Sequence, residues 1–221
     1  MKGYLIKHSR PDIANATCEL SKVLDGATKA ANREFHRVIK YVLDTKSMGL
    51  KIKLTLFKKN EPWDLVCFSD SDYASDPDTR RSVGGFVLYV RGVPLSWRSK
   101  SQRTVTLSSS EAEWIAASEA VKEVMFVYQL IKGVGIKVSL PIVVRVDNVG
   151  AIFMSKNITT TGRTKHVDVR FKYVNEYVEE GIVKIVFVRS NENDSDIFTK
   201  KLGTDLHGKH SRKMVKWADQ V

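Results

Sequence analysis

The sequence predicts an α/β fold: a mixed five-stranded sheet flanked by helices and preceded by a small helical hairpin. The main observation is the order of the periodic segments, which is three strands, a long helix, a strand, helices, a strand and a final helix. The second is size, because 221 residues with 43% hydrophobic side chains suffice for one sizeable core or for one domain with a smaller appendage. This composition excludes a disordered tail protein.

The first part of the chain predicts the helical hairpin. Apolar residues recur at helical spacing from Pro11 to Leu24 and from Ala27 to Leu43, with Asp25-Gly26 as the turn between the helices. Residues 50–57 alternate between apolar and polar side chains, which predicts a strand, and Pro62 follows this pattern. We therefore predict a domain boundary near Pro62.

The rest of the chain predicts the sheet and its helices. The predicted strands cover residues 65–70, 82–90, 95–99, 142–147 and 182–188, and the predicted helices cover 110–131, 149–154, 167–180 and 194–202. A basic loop is predicted over residues 162–166. Glycines at positions 133 and 135 end the long helix, and Gly203 is the predicted C-cap of the last one.

The net charge of +11 lies in the two ends of the chain. Residues 1–62 carry +7 and residues 197–221 carry +4, whereas the part between them is neutral. Basic ends around an aspartate-containing centre indicate that the ends bind a polyanion, while carboxylates in the central part of the chain carry out the chemistry. Two alternatives remain: solvated lysines without a partner, and a hairpin that packs its apolar stripes against the sheet. Those stripes contain Ile13, Leu20, Val38 and Val42.

Cysteine usage and hydropathy exclude several classes of protein. Cys18 and Cys67 are the only cysteines, so the sequence has neither a disulfide framework nor a cysteine zinc site. No run approaches the roughly 20 apolar residues of a membrane span, and residues 1–10 lack the apolar core of a signal peptide. We therefore expect a soluble intracellular protein without a membrane partner, in which any metal binds carboxylates or histidines.

Two predicted strands end in aspartates, which is the first indication of a functional site. Asp70 ends the strand over residues 65–70, and Asp147 ends the strand over residues 142–147. Ligands of open α/β sheets bind outside the carboxyl ends of strands, so both side chains are candidates for one site. For each of them, the alternative is an aspartate that only begins a turn.

The long helix offers two glutamates, and helical geometry separates them. At about 100° per residue, Glu113 lies on the apolar face and Glu111 on the polar face. Each also fits a capping box, with Ser108 three residues before Glu111 and Ser110 three residues before Glu113. Capping explains Glu111 fully, but an inward carboxylate at Glu113 is costly unless it is paired or bound to a metal.

A fourth acid stands at the start of the predicted last helix. Asp194 is the natural N-cap there, and Asp196 lies in the first turn. Four inward acids on separate elements would repel one another unless divalent cations neutralised them, and oxygen ligands favour Mg²⁺ or Mn²⁺. The set suits a two-metal phosphodiester site, in which ions about 3.5–4 Å apart activate a water and stabilise the leaving oxygen.

Seven ordered segments carry a family resemblance. They are Ser69–Tyr73, Ser82–Val87, Ser96–Gln102, Leu107–Ala116, Val146–Asn148, Arg163–Asp168 and Asp196–Lys200. Together they resemble the ribonuclease H domain of copia-type long-terminal-repeat retrotransposon Pol polyproteins. Residues 9–13 and the helices up to Leu50 resemble the C-terminal, thumb-side end of the preceding reverse transcriptase. The implied organisation is a reverse transcriptase remnant over 1–62, a ribonuclease H-like domain over 63–203 and a basic tail over 204–221.

The resemblance implies a metal-dependent endoribonuclease that cuts the RNA strand of an RNA–DNA hybrid and leaves a 3′-hydroxyl and a 5′-phosphate. Two ions of Mg²⁺ or Mn²⁺ are the implied cofactors. The implied catalytic and metal-binding residues are Asp70, Glu113, Asp147 and Asp196. The register alternatives are Glu111 and Asp72. Intact ligands favour activity.

The same motifs imply nucleic-acid contacts and partners. The implied contacts are Asn148, Arg163, Lys165 and His166. A base or metal-ligand role for His166 is the alternative, but its basic neighbours favour contact with a phosphate. The implied partners are the hybrid and the remainder of the reverse transcriptase, and the expected location is the cytoplasm, retroelement particles or the nucleus.

Some positions depart from the family pattern. Tyr73, Asn193, Ser195 and Lys201 replace a usual Trp, Gln, Ala and Pro, and none of these changes removes a ligand. Residues 189–195 lack the histidine that cellular ribonucleases H often place before the fourth acid. The alternative function is a catalytically weak or inactive hybrid-binding relic of a truncated retroelement. A DNA nuclease or strand-transfer enzyme on the same fold fits the continuous matches less well.

Overall fold

The computed structural model describes residues 2–23, 26, 28–52, 61–148, 150 and 165–218, without the side chains of Lys2 and of residues 165–168. The strands are β1 (Met48–Leu50), β2 (Leu65–Asp72), β3 (Val83–Val90), β4 (Val93–Ser101), β5 (Ile142–Val146), β6 (Val183–Phe187) and β7 (Val215–Trp217). The helices are α1 (Lys2–His8), α2 (Ala14–Ser21), α3 (Lys29–Asp44), α4 (Ser109–Gly133), α5 (Lys165–Glu179), α6 (Asp196–Thr199) and α7 (Thr204–Met214). A 3₁₀ turn over Pro11–Ile13 leads into α2.

The main sheet has five strands in the order β4-β3-β2-β5-β6. β2, β3 and β4 form an antiparallel meander, while β5 runs parallel to both β2 and β6. Arg91 and Gly92, both with positive φ, form the tight turn between β3 and β4. The predicted mixed five-stranded sheet with flanking helices is therefore confirmed.

One face of the sheet packs against α4 and α5. Alternate strand residues such as Cys67, Leu88 and Val144 point into this core, where Trp114 of α4 meets Phe171 of α5. α4 is buried over much of its circumference because it lies between the sheet and α5. None of the helices in the described ranges has the length and apolar character needed to cross a membrane.

The other face is covered by the two ends of the chain. A second apolar cluster joins the sheet to α2, α6 and α7, and its members are Ala14, Phe68, Val87, Tyr89, Val188, Ile197, Phe198 and Met214. Trp97 of β4 donates from its indole nitrogen to the carbonyl oxygen of Ile6 at 2.6 Å. Ile13 is buried, whereas Leu20, Val38 and Val42 are half-buried. This packing favours the structural alternative for the hairpin.

The N-terminal and C-terminal segments also pair with each other. β1 is antiparallel to β7, and the Lys51 amide donates to the carbonyl of Met214 at 2.7 Å beyond the paired strands. A buried ion pair between Arg10 and Asp12 lies beside them, with His207 Nε2 3.0 Å from the carbonyl oxygen of Asp12. The boundaries at 62 and 203 stay predictions, and contacts cross both of them.

The structure corrects the prediction for the last helix. α6 covers only Asp196–Thr199, and Gly203 is the N-cap residue of α7 rather than the C-cap of a helix over 194–202. The segment predicted as a basic tail forms α7 and β7. The chain has extended geometry at Lys200 and Gly203, which separates the two helices.

Other predicted elements lie partly or wholly outside the residues that the structure describes. The predicted strand over 50–57 is observed only as β1, which ends at Leu50, and residues 53–60 lie outside the description. The predicted basic loop over 162–166 is helical at Lys165 and His166, and residues 162–164 lie outside. The helix predicted over 149–154 also lies outside, except for helical Gly150. Asp25 of the predicted hairpin turn lies outside as well.

Candidate metal centre

Two adjacent parallel strands bring their aspartates to one edge of the sheet. Asp70 lies near the carboxyl end of β2 and is fully buried, and Asp147 follows β5 directly. Because β2 and β5 run parallel side by side, their carboxyl ends meet at this edge. The turn-only alternative therefore does not describe either residue.

Glu113 reaches the same edge from the N-terminal part of α4. Its side chain is buried, and its Oε1 atom accepts a hydrogen bond from the Ser71 amide at 3.1 Å. Side-chain oxygens of Asp70, Glu113 and Asp147 all lie within 4.8 Å of one another. These three carboxylates, one from each of three elements, form the centre of the candidate site.

Glu111 lies outside this group and caps the helix. Its amide donates a hydrogen bond to Ser108 Oγ at 3.1 Å, and its carboxylate accepts one from the Leu107 amide at 2.8 Å. Ser108 therefore caps α4 as predicted, whereas the Glu111 carboxylate binds the amide of the residue before the N-cap, so the predicted capping box forms only in part. Asp72, the other register alternative, also lies outside the group. The helical-phase prediction that Glu113 faces inward and Glu111 outward is confirmed.

Asp196 joins the three carboxylates through a lysine. Lys200 Nζ lies 2.9 Å from Asp70 Oδ1, 2.9 Å from Asp196 Oδ1 and 3.6 Å from Asp147 Oδ2. Thr199 donates from its hydroxyl to the other oxygen of Asp70. Sequence reasoning assigned no role to Lys200, although its position four residues after Asp196 places both side chains on one face of a helical turn.

The environment of these acids disfavours their charged forms. Burial, followed by repulsion from Asp70 and Asp147, raises the pKa of Glu113 to about 10. Burial and the charge of Asp70 raise the pKa of Asp196 to about 7, and burial also raises the pKa of Asp70. Burial acts against the Lys200 ammonium, yet the carboxylates of Asp70 and Asp196 raise its pKa. If all of these acids were ionised, their negative charge would exceed what one lysine neutralises, so the metal-free site retains protons on its carboxyl groups.

The fit of a metal can be tested on the oxygen atoms themselves. Glu113 Oε2 is buried and has no hydrogen-bond partner among the described residues. A buried polar atom without a partner costs about 1–3 kcal/mol, more for a charged group, so such an atom calls for a ligand. Carboxylate oxygens from three elements are the donors that Mg²⁺ and Mn²⁺ prefer. The residues present therefore fit a divalent cation.

Hydrogen bonds to the sheet and to α7 hold the loop before Asp196. Asn193 donates to the carbonyl of Ser69 at 3.0 Å, which ties this loop to β2 directly before Asp70. Asp194 is not the predicted N-cap: its carboxylate contacts His210 Nδ1 at 3.1 Å and accepts from the Tyr89 hydroxyl at 3.2 Å. The pairing with α7 draws this side chain away from the amides of α6. Asp194 thus anchors α7, and Asp196 is the acid that faces the site.

A glycine in β3 allows α6 to approach the sheet beside Asp70. Gly85 pairs with Asp70 across the strands, and a Cβ atom there would lie 2.6 Å from Phe198 Cβ and 2.9 Å from Thr199 Cγ2. Real Cβ atoms essentially never make contacts this short, so the helix would have to move. At the neighbouring Gly84, the nearest atom would be 3.5 Å away, an ordinary contact.

We expect Gly85→Ala to destabilise the protein by about 1–3 kcal/mol, the typical cost of overpacking a core. Gly84→Ala is the matched control and should leave the free energy of unfolding unchanged or raise it by up to about 1 kcal/mol, because it reduces the entropy of the unfolded chain. Urea denaturation of both variants measures the difference. Equal stabilities would show that α6 does not press on β3.

The predicted nucleic-acid contacts are only partly described. The Asn148 side chain lies beside Asp147 and accepts from Ser110 Oγ at 3.4 Å. Arg163 lies outside the described residues, and Lys165 and His166 are described only as the first turn of α5. The assignment of these side chains to phosphate contact stays a prediction.

No family model matches this chain. Among curated proteins, it is 30% identical over 194 residues to the retrovirus-related Pol polyprotein from transposon RE1 of Arabidopsis thaliana, covering 88% of this chain and 13% of the relative. It is 34% identical over 215 residues to the corresponding polyprotein from transposon TNT 1-94 of Nicotiana tabacum, covering 94% of this chain and 16% of the relative. The chain thus spans about a seventh of these relatives.

Solved structures with a similar arrangement include the N-terminal RNase H domain of rv2228c from Mycobacterium tuberculosis. It was determined as a fusion with maltose binding protein. The similarity covers 67% of this chain and 96% of that chain, with 10% identity and a TM-score of 0.46.

Proposed function

Because the chain belongs to the family of retrovirus-related Pol polyproteins of transposons, we propose that it is the ribonuclease H part of a copia-type element and cuts the RNA strand of RNA–DNA hybrids. The ordered motifs of this domain, quoted above, support the choice of reaction. The activity would be retained in a piece that spans only 13–16% of the relatives. Its expected location is inside the cell, where the element's nucleic acids are copied.

The convergence of Asp70, Glu113 and Asp147 is the observation that carries the proposal. Together with Asp196, they would hold two ions of Mg²⁺ or Mn²⁺. When bound, such ions activate a water molecule and stabilise the leaving oxygen of a phosphodiester. The buried Glu113 Oε2 atom, which has no partner among the described residues, supports this ligand set.

The remaining residues of the site orient these ligands. The Ser71 amide holds one oxygen of Glu113, and the Thr199 hydroxyl holds one oxygen of Asp70. Asn193 fixes the loop that presents Asp196. The ligands would therefore already be in position before a substrate binds, because a sheet edge, a helix and a hydrogen-bonded loop hold them. Such preorganisation reduces the rearrangement that catalysis requires.

A cleavage assay tests the proposal directly. The chain is incubated with labelled RNA–DNA hybrid, and the products are resolved with Mg²⁺, with Mn²⁺ and with a chelator. Cleavage of the RNA strand that depends on the ion supports the proposed function. Hybrid binding without cleavage at any ion concentration would instead support the relic.

Stability should also depend on pH in a defined direction. Unfolded Glu113 and Asp196 ionise near pH 4, whereas their pKa values in the folded chain are about 10 and about 7. Between these values the folded state binds more protons, so the metal-free protein should lose stability as pH rises, by up to about 1.4 kcal/mol per pH unit for each group. Urea denaturation with chelator from pH 5 to 8 measures this slope. Glu113→Gln should make it shallower, and an unchanged slope would contradict the assignment.

A further inference from the structure

Lys200 occupies the place where the carboxylates of the site converge. Its ammonium lies 2.9 Å from oxygens of Asp70 and Asp196 and 3.6 Å from an oxygen of Asp147. Among the side chains that the structure describes, it is the only lysine or arginine whose nitrogen lies within 4.0 Å of any of these three acids. A single ammonium therefore serves several acids at once.

The backbone of Lys200 is held firmly, but its side chain has room to leave. The Lys200 amide donates to the carbonyl of Asp196 at 2.9 Å, and the Lys200 carbonyl accepts from Asn15 Nδ2 at 2.9 Å. The side chain remains about one-third exposed, at 32%. A lysine side chain rotates about several bonds, so the ammonium can move to solvent without a change in the fold.

The ammonium uses the same oxygens that a metal would need. Asp70 Oδ1 and Asp196 Oδ1 both accept from Lys200 Nζ, and these carboxylates belong to the proposed ligand set. A divalent cation binds carboxylate oxygens at about 2.0–2.6 Å. Two cations held by the same oxygens would repel each other strongly, because Asp70 and Asp196 are buried and water screens their surroundings poorly. The two modes of occupancy therefore exclude each other.

We infer that Lys200 is a tethered counter-ion, which neutralises the acids of the metal-free chain and which a divalent cation must displace. This inference rests on the proposed function, because it concerns the same ligands. Without metal, the ammonium neutralises negative charge on these acids. Because a metal ion must displace it, the site fills only above a certain metal concentration. Lys200 therefore acts on the proposed reaction through its effect on metal binding.

Metal affinity measured without substrate tests this inference. Lys200→Met removes the competing charge, so we expect the dissociation constant for Mn²⁺, determined by calorimetry or by electron paramagnetic resonance, to fall roughly tenfold or more, which corresponds to about 1.4 kcal/mol. Lys201→Met is the matched control, because it removes the same charge from an exposed neighbour. Lys200→Arg keeps a cation in place and should resemble the parent.

Each outcome decides the matter. An unchanged or weaker affinity of Lys200→Met for Mn²⁺ would overturn the inference, since the lysine would then not compete with the metal. If this variant fails to fold without metal, Lys200→Gln is measured in its place, and the same criterion applies. A parent chain that binds no Mn²⁺, or binds it equally well after Glu113→Gln, would instead refute the proposed metal site itself.

Discussion

Glu113→Gln is expected to lower the rate of RNA cleavage about a thousandfold or more while binding of the hybrid survives. The change removes a carboxylate ligand and keeps the shape of the side chain, so the chemistry suffers and contacts to phosphates do not. Asp147→Asn should act in the same way. Cleavage rates at saturating Mg²⁺ and hybrid affinity by fluorescence anisotropy separate the two effects.

Glu111→Gln is the matched control on the same helix. It makes the same chemical change two residues away, where the carboxylate caps α4 and lies outside the acidic group. It should cost less than about 1 kcal/mol of stability and leave cleavage intact. Equal activity of Glu113→Gln and the parent would refute the metal role. Because Glu113→Gln removes a buried acid, its metal-free form should be at least as stable as the parent, so unfolding would not explain a loss of activity.

Deletion of residues 1–62 is expected to unfold or aggregate the protein rather than only weaken its hold on nucleic acid. The deleted segment covers one face of the sheet, buries Ile13 and pairs with β7. A fully buried side chain of this size contributes about 1.5–3 kcal/mol, so the total loss should exceed about 3 kcal/mol. Thermal unfolding of the purified fragment and of the whole chain measures the difference.

The electrostatic role of the hairpin needs a variant that keeps this packing. Arg33, Arg37 and Lys40 are exposed on α3, and replacing all three with glutamine should leave Tm nearly unchanged. If they contact phosphates, hybrid binding should weaken, and its salt dependence should fall by roughly one unit of slope per lost contact. A deletion fragment with the Tm of the parent would contradict the packing role, and an unchanged salt slope of the triple variant would contradict the electrostatic one.

Much of the fold and of the site could be predicted because periodicity is a local property of the chain. Alternating and helical patterns placed the five strands of the main sheet and α4 near their observed bounds. The helical phase was enough to point Glu113 inward, since a 25-residue helix has one face that must pack against the sheet. The sequence could also place Asp70 and Asp147 in one site, because neighbouring parallel strands end at the same edge of a sheet.

Contacts between distant parts of the chain could not be predicted in this way. The pairing of β1 with β7, the bond from Asn15 to Lys200 and the tie between Asp194 and His210 leave no trace in the spacing of apolar residues. Local rules made Asp194 an N-cap and Gly203 a C-cap, whereas in the structure Asp194 contacts His210 of α7 and Gly203 is the N-cap residue of α7. The position of Lys200 among the acids depends on the folded sheet edge, because three of its neighbours come together only there.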